Sequence, residues 1–71
     1  MTFNGLALKR RRVLAGMSRS DLAAAAGLSD GTVRLIETGQ VIPRPASALA
    51  LAHALGIDPS ELWIDETTVA S

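Results

Sequence analysis

The 71-residue chain has no cysteine, no tyrosine and one histidine, His53, and aromatic residues make up only 3% of it. Without cysteine there is no disulfide, no thiolate nucleophile and no thiolate metal site, and one imidazole does not hold a metal alone. No metal and no other cofactor is therefore expected. The same absence fits a reducing cytoplasm, which is the expected location. Long apolar runs are missing too. Apolar residues reach 48%, but the longest uncharged stretch, residues 45–57, is alanine-rich and falls short of the roughly 20 residues a membrane-spanning helix needs. Neither a membrane span nor a signal peptide is expected. Size sets a further limit, because a chain this short buries only about 60% of its unfolded surface and has little room for a catalytic cleft. With no nucleophile–base pair in view, neither an enzyme nor a small-molecule site is expected.

Formal net charge is zero, yet the charge is unevenly spread. The seven basic residues Lys9, Arg10, Arg11, Arg12, Arg19, Arg34 and Arg44 all lie before residue 45, with three acids, Asp21, Asp30 and Glu37, so that part carries +4. Asp58, Glu61, Asp65 and Glu66 follow with no cation among them, giving −4. A domain with one basic end is suited to a polyanion at that end and to a different contact at the other.

Scarce aromatic and β-branched residues and abundant alanine favour helix over strand. Five helices are expected, hence an all-α domain over 1–64 and a polar tail over 65–71. The first runs from about Asn4 to Ala15, with Leu6, Leu8, Val13 and Leu14 on or near one apolar stripe and Lys9 to Arg12 around the other side. Four consecutive cations point in all directions, so they do not all face one partner. Ser18 starts a second helix, with Asp21 three residues on as its capping partner, and Gly27 ends it. Ser29 starts a third, with Thr32 at the third helical position, Val33 and Ile36 inward, and Gly39 at its end. The prolines of the following loop impose an extended connection. Pro45 opens a fourth helix that ends at Gly56. Asp58, Pro59 and Glu61 open a short fifth, with Leu62 and Trp63 packing inward.

Residues 19–38 carry the function. Two short helices joined by Gly27-Leu28-Ser29, with small Ala23 at their crossing and Val33 and Ile36 buried, make a helix-turn-helix that leaves Asp30, Gly31, Arg34 and part of Leu35 outward. The runs Gly16-Met17-Ser18-Arg19-Ser20-Asp21-Leu22-Ala23, Ala26-Gly27-Leu28-Ser29 and Val33-Arg34-Leu35-Ile36-Glu37-Thr38-Gly39 resemble the phage Cro and lambda-repressor-like helix-turn-helix family. The likeness continues through Leu51-Ala52-His53-Ala54-Leu55-Gly56-Ile57 and Ser60-Glu61-Leu62-Trp63.

That resemblance implies a compact five-helix, lambda-repressor-like domain that inserts its third helix into the major groove of double-stranded DNA. It implies a sequence-specific regulator, repressor-like, with no enzymatic step. Arg12 and Glu37 match the family's partly buried ion pair. Arg12 is thereby structural, and Lys9 and Arg11 are left as electrostatic support or nothing. Arg19 stands where the family contacts phosphate. Ser29 and Thr32 serve as helix-start hydrogen bonders, as DNA contacts, or as both. Asp30, Gly31 and Leu35 depart from the family's usual glutamine, arginine or serine. Asp30 can accept from a cytosine amino group but repels phosphate, Gly31 permits close approach, and Leu35 can meet a thymine methyl. Arg34 is the candidate for a guanine or a phosphate, while Thr38, Gln40 and Arg44 are expected on the DNA backbone. Direct readout is thin by this reckoning, with specificity drawn partly from DNA shape or from a partner. The nearly uncharged fourth helix suggests a homodimer through Leu49, His53, Trp63 and Ile64. The competing expectation is a protein-interaction adaptor that keeps the fold with a weakened reading face.

Overall fold

The computed structural model describes residues 1–64, so the expected polar tail lies outside the described residues. Its elements are β1 (Thr2–Phe3), α1 (Gly5–Leu14), α2 (Arg19–Ala26), α3 (Asp30–Glu37), α4 (Pro45–Leu55), a 3-10 turn (Pro59–Leu62) and β2 (Trp63–Ile64). Each early helix begins where a short polar side chain can take an otherwise unpaired backbone N–H. Asn4 Oδ1 accepts from Ala7 N at 3.1 Å. Ser18 Oγ accepts from Asp21 N at 3.0 Å while Ser18 N donates to Asp21 Oδ2 at 3.1 Å, a reciprocal cap. Ser29 Oγ accepts from Thr32 N at 3.1 Å. Helix α4 has no side-chain cap bond and starts on Pro45, which lacks the N–H that would need one.

Gly27 adopts φ +71°, a left-handed conformation that lets Leu28 N reach back to Ala23 O at 2.8 Å. Helix α2 therefore ends within a single residue, and α3 can start three positions later.

The fold is mostly helical, with four α-helices and a small antiparallel ribbon in place of the five helices and all-α class expected. Two causes account for the difference, one local and one that joins the ends of the described chain. The segment after Asp58 is four residues long and closes through i→i+3 bonds, with Glu61 N donating to Asp58 O at 3.0 Å, so it stops as a 3-10 turn. Trp63 then turns extended, at φ −115° and ψ 139°, and pairs with Phe3 while Ile64 pairs with Thr2. The chain's two aromatic rings meet edge to face, 5.1 Å apart at 88°. Asn4 N donates to Leu62 O at 2.7 Å and ties the ribbon to the start of α1.

The core is made of Leu8, Leu22, Val33, Ile36, Leu51 and Leu62, all at 1% exposure or less, with Ala23, Ala48 and Ala52 between them. Each such aliphatic side chain removed from water stabilises the fold by about 1.5–3 kcal/mol. The small alanines let α2 and α4, the most closely packed pair, approach one another.

Helix α1 rolls differently from the expected apolar stripe. Leu8 is buried, but Leu6, Val13 and Leu14 are 54%, 59% and 80% exposed. The cause is Gly5, which lies so close to the end of α3 that a Cβ there would stand 2.2 Å from the Ile36 carbonyl oxygen. That contact, with Leu8 and Arg12 one and two turns further on, sets the inward face.

Candidate nucleic-acid interface

Helices α2 and α3 are held at their crossing by buried Ala23, Val33 and Ile36, and this fixes the roll of α3. With Val33 and Ile36 inward, Asp30, Gly31, Arg34 and Leu35 lie on the exposed side. Beyond its chain neighbours and the backbone of its own helix, nothing lies within 4 Å of where a Cβ on Gly31 would stand, so packing does not require glycine there.

Asp30 and Arg19 are directly joined. Arg19 Nε donates to Asp30 Oδ1 at 3.3 Å, and the Ser20 hydroxyl donates to the same oxygen at 3.2 Å. One carboxylate thus braces the first turn of α2 against the first turn of α3 at the open end of the motif. Its charge is compensated by Arg19, and since Arg19 uses only Nε here, its two terminal nitrogens remain for another acceptor. The pair is open to water, with side-chain exposures of 39% and 46%.

Ser29 and Thr32 meet hydroxyl to hydroxyl at 2.8 Å, and both serve the start of α3. At the other end of α3, the Thr38 hydroxyl donates to the carbonyls of Arg34 (3.0 Å) and Leu35 (3.2 Å), and Gln40 Nε2 donates to Thr38 Oγ1 at 3.1 Å. Thr38 and Gln40 therefore finish the helix together, and both are exposed. Arg44 is exposed immediately before α4, beside a groove of about 300 Å³ lined by Thr32, Val41 and Ile42.

The motif is fastened to the rest of the domain by Arg12. Its Nε donates to Glu37 Oε2 at 2.7 Å, its Nη2 to Glu37 Oε1 at 3.3 Å and its Nη1 to the Met17 carbonyl at 2.9 Å. Three bonds from one guanidinium join α1, the end of α3 and the turn before α2. The side chains are only 12% and 3% exposed. The hydrogen bond to Glu37 is the chief cause of an upward shift in the Arg12 pKa, against the opposing cost of burial, so the arginine stays charged at any working pH.

Of the residues expected at a dimer contact, Leu49 and His53 are exposed on α4, where with Ile57 and Pro59 they line a groove of about 190 Å³. Ile64 is 40% exposed on β2. Trp63 is half-buried against Phe3, so part of its ring already serves the monomer.

Besides the ribbon and the Arg19–Asp30 pair, two contacts of α1 escaped the reading of the sequence. Arg11 forms an ion pair with Glu61, whose other oxygen accepts from Asp58 N at 3.1 Å, so this arginine is a strut between α1 and the 3-10 turn rather than electrostatic support or nothing. The close approach at Gly5 is the other, and a glycine at the first position of a capped helix was its only signal. Among the described residues no group of three or more His, Cys, Asp or Glu side chains is placed to hold a metal, and no helix is long and apolar enough to cross a membrane.

The helix-turn-helix family matches residues 8–62. Among solved structures, the restriction-modification controller protein C.AhdI from Aeromonas hydrophila is 37% identical with a TM-score of 0.81, over 83% of this chain and 89% of that one. The DNA-binding domain of the P22 c2 repressor is 26% identical with a TM-score of 0.79, over 82% and 76%. The clp gene regulator ClgR from C. glutamicum is 28% identical with a TM-score of 0.77, over 82% and 75%. The match runs from Leu8 in α1 to Leu62 at the end of the 3-10 turn and takes in both helices of the motif. The chain belongs to the lambda-repressor-like helix-turn-helix family.

Proposed function

We propose that residues 1–64 form the DNA-binding domain of a small transcriptional regulator that reads duplex DNA by placing α3 in the major groove. The observation that carries this reading is the unobstructed outer face of α3, fixed in roll by Val33 and Ile36, with the cations Arg19 and Arg34 beside it. A short helix presented in this way fits the major groove, and charged groups at its edge hold the phosphates. The likeness to a restriction-modification controller, a gene regulator and a repressor's DNA-binding domain supports the same conclusion.

Arg34 is the base reader, with guanine the preferred partner, and Leu35 supplies an apolar contact to a thymine methyl. Arg19 clamps a phosphate through its terminal nitrogens. Thr38, Gln40 and Arg44 grip the backbone beyond the far end of α3. Ser29 and Thr32 act chiefly as helix starters, and Asp30 through Arg19. Gly31 lets the helix approach closely. So few base readers leave part of the specificity to DNA shape. A homodimer through the α4 face of Leu49 and His53, continued by Trp63 and Ile64, presents two copies of α3 to half-sites about one DNA turn apart. The protein works in the cytoplasm and catalyses no reaction.

Selection of duplexes from a random pool at near-physiological salt, followed by sequencing, tests this reading. A short motif with twofold symmetry is the expected result, and Arg34→Ala should relax the preference at one position of each half-site. Failure to recover any motif, with no loss of binding on Arg19→Ala, would favour the adaptor reading.

A further inference from the structure

Helix α1 has two faces, and the fold uses one. Gly5, Leu8 and Arg12 face inward, whereas Leu6, Lys9, Arg10, Val13 and Leu14 share the outer face and line a groove of about 440 Å³. These five follow the i, i+3, i+4, i+7, i+8 spacing of a helix that expects another helix against it. The three apolar members are all more than half exposed, an arrangement that water disfavours and that the core does not call for.

The cations on this face are uncompensated as well. Among the described residues, Arg11, Arg12 and Arg19 each hold a carboxylate, while Lys9 and Arg10, like Arg34 and Arg44 elsewhere, are in no ion pair. Lys9 and Arg10 sit between Leu6 below and Val13 and Leu14 above, and α1 contains no acidic residue. We infer that the outer face of α1 is a docking surface for an acidic amphipathic helix of a partner protein, which seats leucine-like side chains on Leu6, Val13 and Leu14 and carboxylates on Lys9 and Arg10.

Charge complementarity selects this occupant over two others. Two copies of α1 packed face to face would oppose Lys9 and Arg10 to the same cations, with no acid on either helix to relieve them. An anionic lipid surface is best met by a helix whose cations flank the apolar stripe on both sides, and here Arg10 falls within the stripe, between Leu6 and Leu14. The inference does not depend on the DNA-binding reading, because no residue of α2 or α3 enters it.

The test uses the full 71-residue chain, labelled for two-dimensional amide NMR, and a synthetic 18-residue helical peptide with leucines along one face and glutamates beside them. A second peptide carries lysine at each glutamate position. Saturable shifts confined to the region of Leu6, Lys9, Arg10, Val13 and Leu14 are expected with the acidic peptide, with at least tenfold weaker binding of the basic one. Two variants complete the test: Lys9→Glu combined with Arg10→Glu should invert that preference, and Leu14→Ser should weaken both. Leu14 is 80% exposed, so its loss leaves the core intact. Equal binding of the two peptides, or no saturable shift at these residues, would overturn the proposal. It would equally be overturned by self-association that Leu14→Ser abolishes, or by phosphatidylglycerol vesicles that perturb the same residues when the acidic peptide does not.

Discussion

Two arginine–carboxylate pairs hold the helix-turn-helix, and they differ in almost everything except chemistry. Arg12–Glu37 is nearly closed to water and makes three hydrogen bonds within the fold, while Arg19–Asp30 is about 40% exposed and engages only one nitrogen of its guanidinium. The inner pair is costly to break because either partner left alone is a stranded charge in poor contact with solvent. The outer pair is cheap to break, because water takes over each half. The protein thus spends one pair on fixing where α3 lies and leaves the other open to water; on the DNA-binding reading proposed above, a phosphate competes for that arginine.

The sharpest test of this contrast is removal of one inner partner. Glu37→Ala should lower unfolding stability by about 3–5 kcal/mol, and Arg12→Ala by a similar amount, as measured by urea denaturation. The double variant should cost less than the sum of the two, since it strands neither charge. A loss below about 1 kcal/mol for Glu37→Ala would mean that the inner pair behaves like a surface pair and would remove the distinction.

Close behind comes Gly5→Ala. The new methyl would meet the Ile36 carbonyl oxygen at 2.2 Å, a backbone atom that cannot swing aside, so α1 and α3 must separate. A loss of about 1–3 kcal/mol is expected, with broadened amide signals around Arg12 and Glu37 if the two contacts act together. A neutral outcome would show that Arg12–Glu37 alone sets the spacing.

The outer pair is sharpened by Arg19→Ala. Stability should change by less than about 1 kcal/mol, because the pair is exposed, but DNA affinity should fall across all sequences and the log–log salt slope should shrink by about 0.9. Salt titrations by fluorescence anisotropy give both numbers. Unchanged DNA binding would mean that Arg19 serves Asp30 alone.

The same contrast explains what could be read in the sequence. Short-range rules reached the caps Ser18 and Ser29, the left-handed Gly27 and the inward Val33 and Ile36, because each depends on neighbours a few positions away. The motif, and with it the family, was legible for that reason. What joins distant parts was not. The Phe3–Trp63 ribbon, the Arg11–Glu61 strut and the Gly5 contact all link residues far apart in the chain, and they turned a fifth helix into a 3-10 turn with a strand and rolled α1 away from Leu6, Val13 and Leu14. Asp30 shows the same limit inside the motif itself. Its partner is eleven positions away on the neighbouring helix, so it read as a candidate base contact when in the free protein it is a brace.

The smallest expected effect lies at two exposed helix starts. The pKa of Asp21 is lowered chiefly by the backbone N–H of Ser18, and that of Asp58 by the backbone N–H of Ser60; both carboxylates are ionised when they accept these bonds. A group with a lowered folded pKa binds its proton more readily in the unfolded chain, so its contribution is present above the ordinary aspartate value near 4 and fades as pH falls through the lower folded value. Thermal unfolding followed from pH 6 down to pH 2 should therefore show a stability loss that Asp21→Asn and Asp58→Asn each make shallower, in proportion to the capping bond removed. Arg12 contributes nothing in this window, since its raised pKa keeps it charged throughout. If Asp21→Asn and Asp58→Asn instead leave the acid limb unchanged, the two capping bonds carry none of the acid sensitivity, and these helix starts hold without the charge on their carboxylates.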